Sequence, residues 1–200
     1  FKNKVLLPIY GKPLITHVIE KIRKSKKKIE IVVSTSREKS DDNLVNYLKS
    51  KDINFFRGSL NNVALRLYNT ARKYRSNYFA RISGDSPLFD FRILDEAITI
   101  KKKNKNLDLI TNVFPRTFPK GQSIEIIKTS IIKNNIKKFS DQNKEHVTSY
   151  FYENFKIFKI KNFVNKYKYN SLKLSIDTIV DLNSIKKKIN KKNFISFKLK

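Results

Sequence analysis

The sequence has no cysteine and only two histidines, His17 and His146. Disulfides and thiolate metal sites are therefore excluded, and with two histidines a histidine-rich zinc site is not expected. Any metal must be held by oxygen. Glycine and proline together number nine and sit at individual turns, so no flexible linker divides the chain. No run approaches the roughly 20 apolar residues that a membrane-spanning helix needs, and no basic segment leads into an apolar one as in a secretory signal. A soluble, cytoplasmic protein is expected. Acidic residues are also scarce, 17 against 44 Lys and Arg, which leaves a formal net charge of +27. Such a balance normally points to nucleic acid or an anionic surface. Here the lysines are spread through almost every segment with Asn, Ile and Phe, and no arginine stripe or aromatic platform gathers them. Nucleic acid is therefore not the expected partner, although the positive field favours small anionic substrates.

With 40% hydrophobic and 12% aromatic residues over 200 positions, the composition suits one α/β domain spanning residues 1–200. Apolar residues at helical spacing alternate with short β-branched runs, the pattern of a mostly parallel sheet flanked by helices. Leu14, Ile15, Val18, Ile19 and Ile22 predict a helix over 12–27, and IEIVVST (29–35) predicts a buried strand. Asp41 and Asp42 open a second helix that ends near Lys51, and a strand follows at 53–56. Val63, Leu67, Ala71 and Tyr74 share a third helical face, which leads into YFARIS (78–83), the best central strand. A helix over 91–103, a strand over 107–112, an irregular Pro/Arg/Gly segment at 113–122 and a strand over 123–127 come next. Helices near 128–138 and 143–154 precede strands at FKIFKI (155–160) and LKLSI (172–176). A helix around 178–190 and a final strand near 194–198 complete the expected order.

Ligands of open parallel sheets lie beyond the carboxyl ends of the strands. That rule selects Ser34-Thr35-Ser36, Arg57-Gly58, Gly84-Asp85-Ser86-Pro87 and the turn that carries Asp177. In RISGDSPLFD (81–90) a strand ends at Gly84, which permits close backbone approach, and Asp85 then projects where a carboxylate can hold a magnesium ion. The same pattern suits a helix N-cap or a turn. In LSIDTIVDL (174–182), Asp177 ends a strand and Asp181 lies one turn into the next helix, which equally reads as an N-cap with an acidic first turn.

Seven stretches in register resemble one family: KVLLPIYGKPLITHVIE (4–20), IVVSTS (31–36), FRGSLNNVALRLYNTA (56–71), RISGDSPLFD (81–90), TNVFPRTFPKGQSIEII (111–127), EHVTSY (145–150) and LSIDTIVDL (174–182). They are similar to the cytidylyltransferases of the spore-coat-polysaccharide type, relatives of the acylneuraminate and 3-deoxy-manno-octulosonate cytidylyltransferases. The resemblance implies a Rossmann-like nucleotide-diphospho-sugar transferase fold that joins CMP from CTP to a sugar, with an acidic surface-polysaccharide sugar as acceptor, and releases pyrophosphate. It implies Mg2+ held by Asp85 and Asp177, with Lys4 matching the lysine that closes the phosphate loop. It places Ser34, Thr35, Arg57 and Gly84 at the nucleotide, Arg116, Glu125 and His146 at the sugar, and a homodimer as the assembly. The pattern also expects a hydrophobic first strand and a Gly/Ser/Arg-containing loop directly before KVLLP. That strand and loop are missing from this sequence, and Phe1–Asn3 read as the loop's last residues, which marks the chain as N-terminally truncated. Asn62 stands for an acidic residue, Ser123 for an aspartate, and Ile179-Val180 for Pro-Glu. Two other readings share the composition. One is a sugar-1-phosphate nucleotidyltransferase or a glycosyltransferase using a nucleotide sugar, and the other is a non-catalytic basic protein binding anionic polysaccharide or nucleic acid.

Overall fold

A computed structural model describes residues 4–167, 169 and 172–199. A single 3-10 turn, Lys4–Leu6, leads into a two-residue hairpin of β1 (Pro8–Ile9) and β2 (Lys12–Pro13). Its turn residues Tyr10 and Gly11 take positive φ of 47° and 85°, as a tight hairpin turn demands. Helix α1 (Leu14–Ile22) follows, then β3 (Val33–Ser36), α2 (Asp42–Ser50), β4 (Phe55–Gly58), α3 (Val63–Lys73), β5 (Tyr78–Arg81) and α4 (Phe91–Lys103). The second half contains β6 (Leu109–Thr111), β7 (Glu125–Lys128), α5 (Thr129–Asn135), α6 (Asp141–Glu145), α7 (Ser149–Glu153), β8 (Ile160–Asn162), α8 (Ile179–Lys188) and α9 (Lys191–Ile195).

Local signals set the helix starts. Asn62 accepts from Leu65 N to cap α3, and Asp90 accepts from Arg92 N to cap α4. Thr178 and Asp181 form a reciprocal capping box on α8, so that helix starts cleanly without a proline. The cap falls on Thr178, which leaves Asp177 outside the helix.

β3 and β4 pair in parallel, Val33 opposite Phe55. The other sheet has the order β5-β7-β6-β8, with β7 antiparallel to both neighbours and β6 parallel to β8. The pairing is therefore mixed, where the sequence pattern led to a mostly parallel sheet. β7 enters antiparallel because the irregular 113–122 segment turns the chain back beside β6. Strand alternation distributes the core. Leu109 and Ile127, opposite each other, pack on α3, α5 and α7, whereas the next pair, Ile110 and Ile126, pack on α1 and α4. α1 also shares a third cluster with α2 through Ile15, Ile19, Leu44 and Leu48. β3 and β5 are not hydrogen-bonded to each other, and a cleft of about 500 Å³ separates them.

Three C-terminal expectations are corrected. The 155–160 run closes α7 in turns, and only its last residue enters β8, because Ile157 is 74% exposed and has no sheet to join. Residues 172–176 make no ladder: they are stitched by Leu174 N to Lys120 O and by Ile176 N to Asp85 O, with one bridge between Lys120 and Lys173. Residues 194–198 do not form a strand. Asn190 caps α9 and buries Phe194 among α1 and α4, so helical packing overrides the apolar alternation. Phe1–Asn3 lie outside the described residues.

Candidate functional site

Two loops far apart in sequence meet at one backbone hydrogen bond. Past the end of β5 the chain turns through Gly84 and Asp85, and the Asp85 carbonyl accepts from Ile176 N at 2.9 Å. This contact sets Asp177 beside Asp85. Lys4, in the 3-10 turn before the hairpin, reaches both carboxylates, 3.1 Å from Asp85 Oδ2 and 3.2 Å from Asp177 Oδ1. The remaining oxygens are also engaged: Ser86 Oγ donates to Asp85 Oδ1 at 3.0 Å, and Lys173 reaches Asp177 Oδ2 at 2.9 Å and Asp181 Oδ2 at 2.8 Å. The Lys173 hydrogen bond, against the opposing effect of burial and together with Lys4, holds Asp177 below the usual carboxylate range. The same lysine brings Asp181 down to about 2. Burial works against the Lys4 charge, yet Asp85 and Asp177 raise it above its ordinary value. Among the described residues no group of three or more acidic, histidine or cysteine side chains is placed to hold a metal. Asp85 and Asp177 nonetheless direct one oxygen each at a shared cation. A metal there would need water and ligand oxygens to complete its shell, as magnesium typically does.

Gly84 fits this turn closely, since a Cβ would lie 3.3 Å from the Ile15 side chain. It lines the cleft together with Lys4, Ser34 and Thr35. Ser34 Oγ lies 3.0 Å from Thr70 Oγ1, and Thr35 Oγ1 donates to Asp41 Oδ2 at 2.6 Å. Arg57 does not line the cleft. Its Nε donates to Ser36 O, and its Nη2 to Glu38 O and Asp42 Oδ1, so it braces the turn between β3 and α2.

Of the three residues expected at the sugar, Glu125 is the one enclosed by protein donors. Glu125, 5% exposed, accepts from Arg81 Nη1 at 2.7 Å, Thr148 Oγ1 at 2.5 Å and Tyr152 OH at 2.9 Å. With those three donors it acts as an anchor, and Arg81, which lines the cleft, is the side chain it orients. Arg116 donates to Ser123 Oγ at 3.0 Å and makes no ion pair among the described residues, and burial lowers its pKa. Phe114, 38% exposed, stacks on Tyr152 with ring centroids 4.7 Å apart. His146 ends α6 as an exposed residue whose carbonyl accepts from Ser149, and its ring makes no hydrogen bond among the described residues. Thr148, two residues on, is the side chain of this segment that reaches Glu125.

Sequence reasoning missed Arg81, Arg66, Thr148, Tyr152 and Lys173. Arg81 left a signal, a charge inside the run otherwise read as the central strand. Arg66 also lines the cleft, donating from Nη1 to Ser59 O at 2.6 Å, while its buried Nε has no partner among the described residues. The cleft thus carries three cations, Lys4, Arg66 and Arg81, and the hydroxyls of Ser34 and Thr35 on walls that are otherwise largely apolar, with Ile15, Ile19, Val33 and Leu67 among them.

Known proteins resemble the chain along nearly all of its length. A family model described as Cytidylyltransferase matches residues 1–196. An uncharacterised protein of Methanocaldococcus jannaschii is 33% identical over 183 residues, 90% of this chain and 74% of the relative. The spore coat polysaccharide biosynthesis protein SpsF of Bacillus subtilis is 25% identical over 193 residues, 92% of this chain and 78% of the relative. A solved cytidylyltransferase from Leptospira borgpetersenii superposes with a TM-score of 0.84 at 28% identity, covering 98% of this chain and 91% of the other.

Proposed function

The chain belongs to the cytidylyltransferase family, and from that premise we propose that it transfers CMP from CTP to an acidic sugar used in surface polysaccharide or glycan synthesis, releasing pyrophosphate. The observation that carries this reading is the meeting of Asp85 and Asp177 at Lys4, at the mouth of a cleft that holds further cations.

The residues suit the reaction in a definite way. A sugar oxygen attacks the α-phosphorus in line, the bond to the β-phosphate oxygen breaks, and pyrophosphate leaves with the electron pair. Such a transfer needs positioning and charge neutralisation and no covalent nucleophile. Lys4, Arg66 and Arg81 face the cleft with N–H donors and supply the positive field for the phosphates. Ser34 and Thr35, on β3, offer hydroxyls to the cytosine edge. The Glu125 anchor fixes the Arg81 guanidinium, while Arg116 and the Phe114 ring offer a charge and an apolar face to the acceptor. The donor set of two carboxylates sharing one cation fits Mg2+, which Asp85 and Asp177 would hold. When bound, that ion supplies charge neutralisation on phosphate oxygens.

The deciding experiment is pyrophosphate release from CTP with Mg2+ and a panel of acidic, phosphorylated and neutral sugars, run beside Asp85→Ala. Release is expected with an acidic sugar and to fall by about 10³-fold or more in the variant. CTP that neither turns over nor binds would sink the reading.

A further inference from the structure

The Lys4 ammonium occupies the place where the two carboxylates converge. It stands 3.1 and 3.2 Å from one oxygen of each, so those two oxygens share one cation. A Mg–O bond is shorter by about an ångström, roughly 2.1 Å. An ion entering that centre and the ammonium would therefore compete for the same two oxygens and repel each other at contact distance.

The surroundings allow the exchange. The Lys4 side chain is 29% exposed and has a way out toward solvent and the cleft. Both carboxylates keep a second partner when it leaves, Asp85 through the Ser86 hydroxyl and Asp177 through Lys173 on its other oxygen. The acids thus hold their direction while the bridging charge changes.

We propose that Lys4 is a built-in counter-cation of the Asp85–Asp177 pair, displaced when a divalent ion binds and then free to engage an anionic reactant. This rests on the reading of Asp85 and Asp177 as metal ligands. In the unloaded chain the lysine spares the two carboxylates from facing each other unscreened. Because one cation must leave as another enters, the bare chain holds metal weakly. A phosphate that captures the released ammonium strengthens the metal, and by reciprocity the metal strengthens the phosphate.

The test is Mn2+ binding to the chain without nucleotide, read from the electron paramagnetic resonance signal of free Mn2+. Lys4→Gln is expected to bind about tenfold tighter than the unaltered chain, and Lys4→Arg, which keeps the charge, to stay within about threefold of it. Equal or weaker binding by a folded Lys4→Gln overturns the proposal. Asp85→Ala separates the two levels of the argument. If it binds Mn2+ as well as the unaltered chain, the metal reading falls and this inference with it. If it loses Mn2+ while Lys4→Gln gains none, only the inference falls. A second readout needs no variant: the ammonium resonance of Lys4 in a 15N-lysine spectrum should shift on addition of Mg2+, and an unmoved resonance at saturating Mg2+ overturns the exchange.

Discussion

At the scale of single residues, Glu125 gathers the densest side-chain network beside the cleft. Its carboxylate is nearly sealed from water, which is tolerable because a guanidinium and two hydroxyls donate to it. Burial, followed by the charge of Glu125, pushes the Tyr152 phenol up, so Tyr152 remains a donor at any working pH. Removal of the carboxylate takes the acceptor from all three donors, although Tyr152 keeps Thr111 Oγ1 at 2.8 Å and Arg81 keeps access to water. Glu125→Ala should cost about 3 kcal/mol, at the low end of the range for broken buried pairs because the Arg81 side chain is 35% exposed to screening water. Glu125→Gln, which keeps an acceptor, should cost about half that. Urea midpoints measure both, and a Glu125→Ala chain within about 0.5 kcal/mol of the unaltered one would show that the network adds no stability. The resemblance sets Glu125 at the sugar, and the structure gives its carboxylate three protein donors. An acid beside a cleft reads as a ligand until its lone pairs are counted.

At the scale of elements, α1 shows how packing overrides sequence signals. Its buried face carries Leu14, Val18 and Ile22, as the spacing predicts, but also Lys21, whose ammonium donates to Ile195 O at 2.9 Å and Phe197 O at 3.3 Å. These carbonyls lie at and just beyond the end of α9, where a cation is favoured. Burial, with the neighbouring charge of Lys24, brings the Lys21 pKa down to about 8. The unfolded chain, with a lysine near 10.4, binds the proton more tightly than the folded one between those values. Stability contributed by this group therefore rises as pH increases from about 8 to about 10. Lys21→Met should flatten that rise in a series of urea midpoints, and an identical pH profile in both chains would refute the assignment. The segment between β6 and β7 is similarly constrained. Gly121 adopts φ +93°, and a Cβ there would sit 2.6 Å from the Leu174 backbone, so the close approach of the 113–122 and 172–176 segments requires glycine.

The whole molecule carries +27, mostly on exposed lysines. Among the described residues ion pairs are few, and apart from Arg81–Glu125 and Arg92–Asp90 they involve partly exposed carboxylates worth little individually. Repulsion among unpaired lysines should therefore outweigh them. Stability is expected to rise by about 1–2 kcal/mol between roughly 0.05 and 0.5 M NaCl as the field is screened. A fall over that range, measured by urea midpoint, would mean that surface pairs dominate. The same field favours anionic reactants over the cleft. Among the described residues no helix is long and apolar enough to cross a membrane.

The sequence by itself determined most helices and the four strand-end segments where the site was sought. Those signals are local: amphipathic spacing, Asp41 and Asp42 at a helix start, and Gly84 followed by a carboxylate and Pro87. Helix α4 was legible to its end residues for that reason. The resemblance of seven ordered stretches added the pairing of Asp85 with Asp177, which no periodicity encodes. Only the tertiary structure decided how the strands pair, that Lys4 bridges both acids, that Arg57 braces a turn, and that Glu125 serves Arg81. Each of these depends on which distant groups exhaust a donor or acceptor, and that accounting exists only once the chain has closed on itself.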